Sequence, residues 1–389
     1  MFHRRLLAFG AAAAILAAAC GGTTPTTTTT SATASALPAA SVEPFDEAKL
    51  LAAAKNEPPL VALNNSGIVT TIAQLFEQKY GLKVNGTKAD TPTQVQQVTR
   101  EVQSGNVKLG VLSIEDGATV QQQLIAQGYV ENYVPGDMVK SIPKEWQNPL
   151  VQYWDANVIT YNSELASCPV NNVWDLADPA WRGKVAVKDP LNTPQLISWF
   201  SFLVNEPVAG NLAKAYQQKY GSALQTTEKN AGYEFIKRLA ANKPILGKSD
   251  DDAAAAVGAP GQKAAPVGMM SLGKHGEAPG KGNKLGVCKG IQPFLGFAYP
   301  RYAVIVKGTP SPNAARLYVH FLMSVDGVAP SMDDHGGFSA NADVRPGKVE
   351  FVGNRDYWQQ NLTFLDPAFN ARAWEARETL SDFWRLNLK

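Results

Sequence analysis

The run Asn172-Val173-Trp174-Asp175-Leu176-Ala177-Asp178-Pro179-Ala180-Trp181-Arg182-Gly183-Lys184-Val185-Ala186-Val187-Lys188-Asp189-Pro190-Leu191-Asn192-Thr193-Pro194-Gln195 carries five local structure signals in succession. Asn172 with Asp175 three residues on forms a capping pair that opens a short helical turn. Asp178 before Pro179 marks a second helix start, since proline at the first helical position gives up only an N–H that had no partner. Gly183 stops that turn. Val185-Ala186-Val187 is short and β-branched and reads as a buried strand, ended by Asp189-Pro190; Thr193-Pro194 opens a new helix. A strand thus feeds through a polar loop into a helix N-terminus, where unsatisfied N–H groups and the positive dipole end favour an anion or polar ligand.

Working outward, the same grammar repeats. Leu60–Leu63 is a strand that runs into Asn64-Asn65-Ser66-Gly67 and then a helix with Ile72, Leu75 and Phe76 on one face, closed by Gly81. Leu82–Val84 is predicted as the next strand, Val95–Val102 as helix, Leu109–Ser113 as strand, and Ile114–Gly117 as a turn into a helix that ends at Gly128. Such alternation predicts an α/β chain with mainly parallel sheet flanked by helices, and ligands beyond the carboxyl ends of the strands. Residues 45–389 exceed one comfortable core and suggest two lobes.

The opening run also carries a resemblance. Trp174-Asp175-Leu176, followed by Asp178-Pro179, Trp181, Gly183-Lys184-Val185, Val187 and Asp189-Pro190, resembles the signature segment of bacterial extracellular solute-binding proteins of the ferric-iron and polyamine type, which serve ABC importers. Tyr80-Gly81-Leu82-Lys83-Val84, Arg100-Glu101 with Gly105, Tyr161-Asn162-Ser163, and Ser311-Pro312-Asn313-Ala314-Ala315 followed by Phe321-Leu322 and Ser324 resemble further segments of that family. Gly110-Val111 stands where the family usually has Asp-Val. The resemblance implies a two-lobed periplasmic-binding-protein fold of type II with two hinge crossings. We place the first lobe at 45–157 and 297–389 and the second at 158–296, with the crossings through Tyr153–Tyr161 and near Phe297. Ala373, Ala376, Leu380 and Phe383 lie beyond the resemblance and form a helical apolar stripe, a packing face.

Residues 1–19 have a basic start at Arg4 and Arg5, an apolar stretch from Leu6 to Ala19 and small residues before Cys20, the anatomy of an export signal too short to span a bilayer. Cys20 after Ala17-Ala18-Ala19 resembles a bacterial lipoprotein processing site, which makes it the lipidated first residue; an ordinary signal with an incidental cysteine is the alternative. Residues 20–44, rich in Thr, Ser, Ala and Pro, cannot bury enough surface to offset chain entropy and read as a disordered tether. The expected location is therefore outside the cytoplasm, lipid-anchored at the outer face of the cytoplasmic membrane or facing the periplasm. Losing Arg4 and Arg5 brings the formal charge of +2 to zero, which argues against nucleic acid as a partner.

Of three cysteines, Cys168 and Cys288 remain for the body. In an oxidising compartment they either pair or stand as two buried thiols. Two cysteines without a nearby histidine are too few ligands for a metal, and no cofactor is expected.

The topology turns four strand-to-helix turns toward one cleft. They supply Asn64, Asn65 and Ser66; Ser113 and Glu115; Asp189, Asn192 and Thr193; Ser249 and Asp250. Trp154 and Asp155 at the first crossover add a wall and hydrogen bonds. The family member best known by chemistry holds ferric iron with two adjacent tyrosines, and the matching positions here are Gly273 and Lys274. A trivalent ion needs anionic oxygen donors, so Lys274 and His275, with Ser271 just before them, point instead to an anionic organic solute. Ferric iron stays open as the family alternative. An enzyme alternative rests on Ser271-x-x-Lys274 and Ser339-Ala-Asn341, which together hint at a serine acyltransferase or β-lactamase site, although no Lys-Thr-Gly follows. The leading expectation is a monomeric, non-enzymatic lipoprotein that captures a small polar solute and delivers it to an ABC permease with its ATPase.

Overall fold

The computed structural model describes residues 41–344 and 355–388. The expected export signal and Cys20 lie outside the described residues. Ser41–Glu43, read as the end of the tether, instead forms a short strand in parallel with Tyr133–Pro135.

The opening run folds as its residues dictate. Asn172 and Asp175 close a reciprocal capping box on a single 3-10 turn, Val173–Asp175, and Asp178 caps a second, Pro179–Trp181. Gly183 takes φ +70°, the strand is Val185–Lys188, and Asp189 caps the turn Pro190–Asn192 before the helix Pro194–Leu203 begins. Trp174 is fully buried, donates its indole N–H to the Leu212 carbonyl at 2.8 Å, and meets Tyr216 and Phe235 edge-on. The segment is thus a packed cover over one end of the sheet.

In spatial order the main path of the sheet runs Val84–Lys88, Leu60–Asn64, Val111–Ile114, Gly296–Val306, Val151–Asn162, Val267–Ser271, Val185–Lys188 and Ile245–Gly247. The first three are mutually parallel, and so are the last three. Between them the two long strands run antiparallel to each other and to the flanking strands on either side. This is two parallel α/β halves joined by a pair of crossing strands, as expected for a two-lobed α/β fold. The predicted strand at Leu82–Val84 is displaced toward the carboxyl side, because the register pairs Val84 with Leu60 and runs on to Lys88 opposite Asn64.

The register sets where the two halves meet. Ile114, at the end of its strand, pairs with Tyr302, while Ser271 pairs with Asn157. Arg301 and Tyr299 stand opposite Tyr153 and Asp155. The carboxyl ends of both halves therefore open over the middle of the long strands.

Helix Asn370–Asn387, assigned on sequence grounds to the first lobe, buries Ala373, Leu380 and Trp384. It packs against helices Pro194–Leu203 and Ala231–Ala241, which lie in the range assigned to the second lobe, and also against Gly117–Ile125. Cys168 and Cys288 form a disulfide. Among the described residues no helix is long and apolar enough to cross a membrane.

Candidate functional site

A cavity of about 490 Å³ lies over the middle of the long strands, and all four anticipated turns reach it. Asn65 and Ser66, Glu115, Asn192 and Thr193, and Ser249 and Asp250 line it, with Asp155, Ser271 and Lys274. The remaining anticipated residues stand behind it. Asn64 is buried, takes the Ser66 N–H at 2.8 Å and accepts from Arg301 at 3.2 Å. Ser113 donates to Gln152 at 2.7 Å, and Asp189 closes its own loop through the Leu191 N–H and the Asn192 amide. Trp154 is buried in an aromatic cluster with Trp146, Phe338 and Phe364.

The Lys274–His275 pair is split by the fold. Helix Gly273–Lys281 turns His275 inward, where Nε2 lies 3.0 Å from the Thr160 hydroxyl, outside the cavity lining. Burial holds its pKa down, at about 4, so the ring is neutral at pH 7. Lys274 does reach the cavity, but its ammonium is shared between Asp251 at 3.1 Å and Glu277 at 2.9 Å. It is a paired cation and not the free anion hook anticipated from sequence.

Sequence reasoning missed the cavity floor. Arg301 lies in the apolar strand Gly296–Val306 and is 3% exposed, yet its guanidinium donates to Glu115 at 2.6 Å and lies 3.6 Å from Asp155. Burial pulls the Arg301 pKa down, but Tyr153, Glu115, Tyr299 and Asp155 together carry it above its ordinary value. Burial pushes the Asp155 carboxyl up, against the pull of Arg301. The phenol of Tyr299 is likewise raised well above its ordinary range by burial and by Asp155, and stays neutral. Lys188, the last residue of its strand, pairs with Asp250 at 3.0 Å. Burial lowers its pKa, and Asp250 and Glu115 more than offset that loss.

The rim differs from the floor. Lys88 and Lys248 also line the cavity, both are exposed, and neither makes an ion pair among the described residues. The first turns of helices Thr91–Ser104, Pro194–Leu203 and Asp250–Gly258 open onto the same space. Two of them are already capped by Asp90 and Ser249, and the first-turn acids of Asp250–Gly258 add negative charge there. Pro194–Leu203 has neither a side-chain cap nor an acid in its first turn, and the buried Gln195 amide nitrogen beside it has no partner.

Ser271 and Lys274 do not act on each other. The Ser271 hydroxyl accepts from the Gly273 N–H at 3.2 Å and lies 3.4 Å from Asp155, while Lys274 turns to Asp251 and Glu277. Among the described residues, no hydrogen bond links Ser271 to Lys274 as a serine–lysine nucleophile requires.

Residues 60–333 match the family model of bacterial extracellular solute-binding proteins. The chain belongs to this family. The solute-binding protein is therefore a carrier of small molecules rather than an enzyme. Comparison with curated protein sequences gives no significant match. Among solved structures it is similar to iron-bound HitA from Pseudomonas aeruginosa, with TM-score 0.66, 16% identity, and coverage of 84% of this chain and 99% of the other. It is similar to the substrate binding protein of the ABC transporter from Agrobacterium tumefaciens, with TM-score 0.67, 13% identity, and 87% and 97% coverage. The periplasmic binding protein AfuA from Actinobacillus pleuropneumoniae, bound to fructose-6-phosphate, has TM-score 0.62, 18% identity, and 85% and 98% coverage. At these identities the solved structures bear on fold alone.

Proposed function

We propose that this solute-binding protein is the exported, lipid-anchored receptor of an ABC importer, and that it captures an anionic organic solute and delivers it to the permease. The observation that carries the anion is the start of helix Pro194–Leu203, without a side-chain cap, on a cavity whose rim holds Lys88 and Lys248, two cations that make no ion pair among the described residues. The floor supports an uncharged, hydroxyl-bearing body for the same solute. Asp155, Ser271, Tyr299 and Thr193 offer donors and acceptors there, while Lys188 is held by Asp250 and Arg301 is shared by Glu115 and Asp155. The fructose-6-phosphate held by AfuA has this division of character.

Ferric iron is the second reading, because HitA is iron-bound on a similar fold. Against it, Tyr299 is the one tyrosine in the lining and remains a neutral phenol, and the carboxylates beside it are committed to Arg301 and Lys188. Thermal-shift screening of the full secreted chain against sugar phosphates, phosphonates, hydroxy acids, polyamines and ferric citrate separates the readings. A shift with phosphorylated or carboxylated solutes is expected, whereas a shift with iron alone sinks the anion reading.

A further inference from the structure

We propose that the C-terminal helix Asn370–Asn387 is a brace that, through Arg377, bolts the two halves of the cleft together behind the cavity, making Arg377 a positioning residue for the solute site. The helix lies beyond residues 60–333, the part of the chain that the family model matches.

The bolt is a buried carboxylate. Asp116 follows Glu115 of the cavity and sits at the start of the turn after Val111–Ile114, on one half of the sheet. Its side chain is fully buried and accepts from the Ser198 hydroxyl at 2.7 Å and from the Arg377 guanidinium at 2.6 Å, besides the Thr119 backbone and hydroxyl. Ser198 belongs to helix Pro194–Leu203, which follows Val185–Lys188 on the other half and lies one turn beyond Gln195 of the cavity. One carboxylate therefore ties a cavity turn of the first half to a cavity helix of the second, and Arg377 neutralises the charge that the tie buries.

Two further observations show that the turn is held and not merely touched. Asp116 adopts φ +67°, a left-handed conformation that a non-glycine residue keeps only where its surroundings over-determine it. The next residue, Gly117, has no room for a side chain, since a Cβ there would lie 2.2 Å from the Tyr302 hydroxyl and 2.5 Å from the amide of Asn370, the first residue of the brace. Asn370 and Arg377 of one helix thus back the turn that follows Glu115, whose carboxylate holds Arg301 at the floor. The turn that carries Glu115 is tied to the second half on the side away from the cavity mouth.

The test uses the unliganded full chain, so it does not depend on which solute is carried. Arg377→Met keeps the stem and removes the charge. Small-angle scattering is expected to give a radius of gyration larger by about 5%, against about 20 Å for a compact body of this size, and hydrogen exchange is expected to rise selectively over residues 113–120 and 194–203. If Arg377→Met lowers the melting temperature while scattering and the distribution of exchange stay as in the wild type, Arg377 is only a packing residue and the proposal falls. Should that variant fail to fold, Ser198→Ala removes a single hydroxyl from the same tie, and unchanged exchange over residues 113–120 in it overturns the proposal equally.

Discussion

At the scale of the residue, the ion pairs and buried rings make claims that a titration can check. His275 is neutral in the folded protein with a pKa near 4, against about 6.5 in the unfolded chain. Between those values the unfolded chain binds the extra proton, so stability is full above about pH 7 and falls as the pH drops toward 4. The loss amounts to about 3 kcal/mol by linkage. Urea midpoints measured from pH 7 to pH 4 should show this fall in the wild type and lose most of it in His275→Gln; equal slopes would remove His275 as the cause. Arg301→Ala leaves Glu115 and Asp155 together without their cation and is expected to cost about 3–5 kcal/mol, read as a drop in urea midpoint at pH 7. A cost under 1 kcal/mol would mean that the floor pair is solvated and not buried. Arg301 was also the most legible of the missed residues. An arginine inside the apolar run Phe297–Val306 needs a buried partner, and that demand is visible in sequence. Which carboxylate meets it is not visible, because Glu115 lies 186 positions away.

Elements were legible where their ends carry chemistry. The run Asn172–Gln195 folds turn by turn as its caps, prolines and glycine require, because each signal acts within four residues. His275 was misplaced for a related reason. The sequence places it beside Lys274, but on helix Gly273–Lys281 adjacent side chains point about 100° apart, so one faces the cavity and the other the core. Cys168 and Cys288 sit on the loop after Val151–Asn162 and just past Leu285–Val287, a strand that pairs with it; their bond closes a separation of 120 residues. Loop-closure entropy assigns such a bond about 4–5 kcal/mol. Cys168→Ser with Cys288→Ser is therefore expected to lower the urea midpoint strongly while leaving the far-ultraviolet dichroism native. A double variant as stable as the oxidised wild type would show that the bond adds nothing to folding.

For the whole molecule, the α/β class followed from the repeated strand, turn and helix pattern and the two-lobed plan from chain length and the family resemblance, whereas the balance of charge in the cleft emerged only when distant turns met. The lining holds Lys88, Lys188, Lys248, Lys274 and Arg301 against Asp90, Glu115, Asp155, Asp250 and Asp251, so formal charge alone selects no ligand. Selection comes from placement. Lys188, Lys274 and Arg301 are held by carboxylates, whereas Lys88 and Lys248 end or follow the outermost strands at opposite edges of the sheet and line the cavity without an ion-pair partner among the described residues. An anion entering between them gains attraction from each, at about 0.5–1 kcal/mol per exposed cation, and that gain is screened by salt. Lys88→Gln with Lys248→Gln should therefore weaken binding of a phosphorylated solute by about tenfold at low ionic strength. The same pair should flatten the dependence of its Kd on salt, with the melting temperature unchanged because neither lysine supports a fold contact. Calorimetric titration across a salt series reads both quantities. If the double variant keeps the wild-type salt slope, the rim does not select the anion, and the start of helix Pro194–Leu203 with Gln195 would have to carry the whole preference.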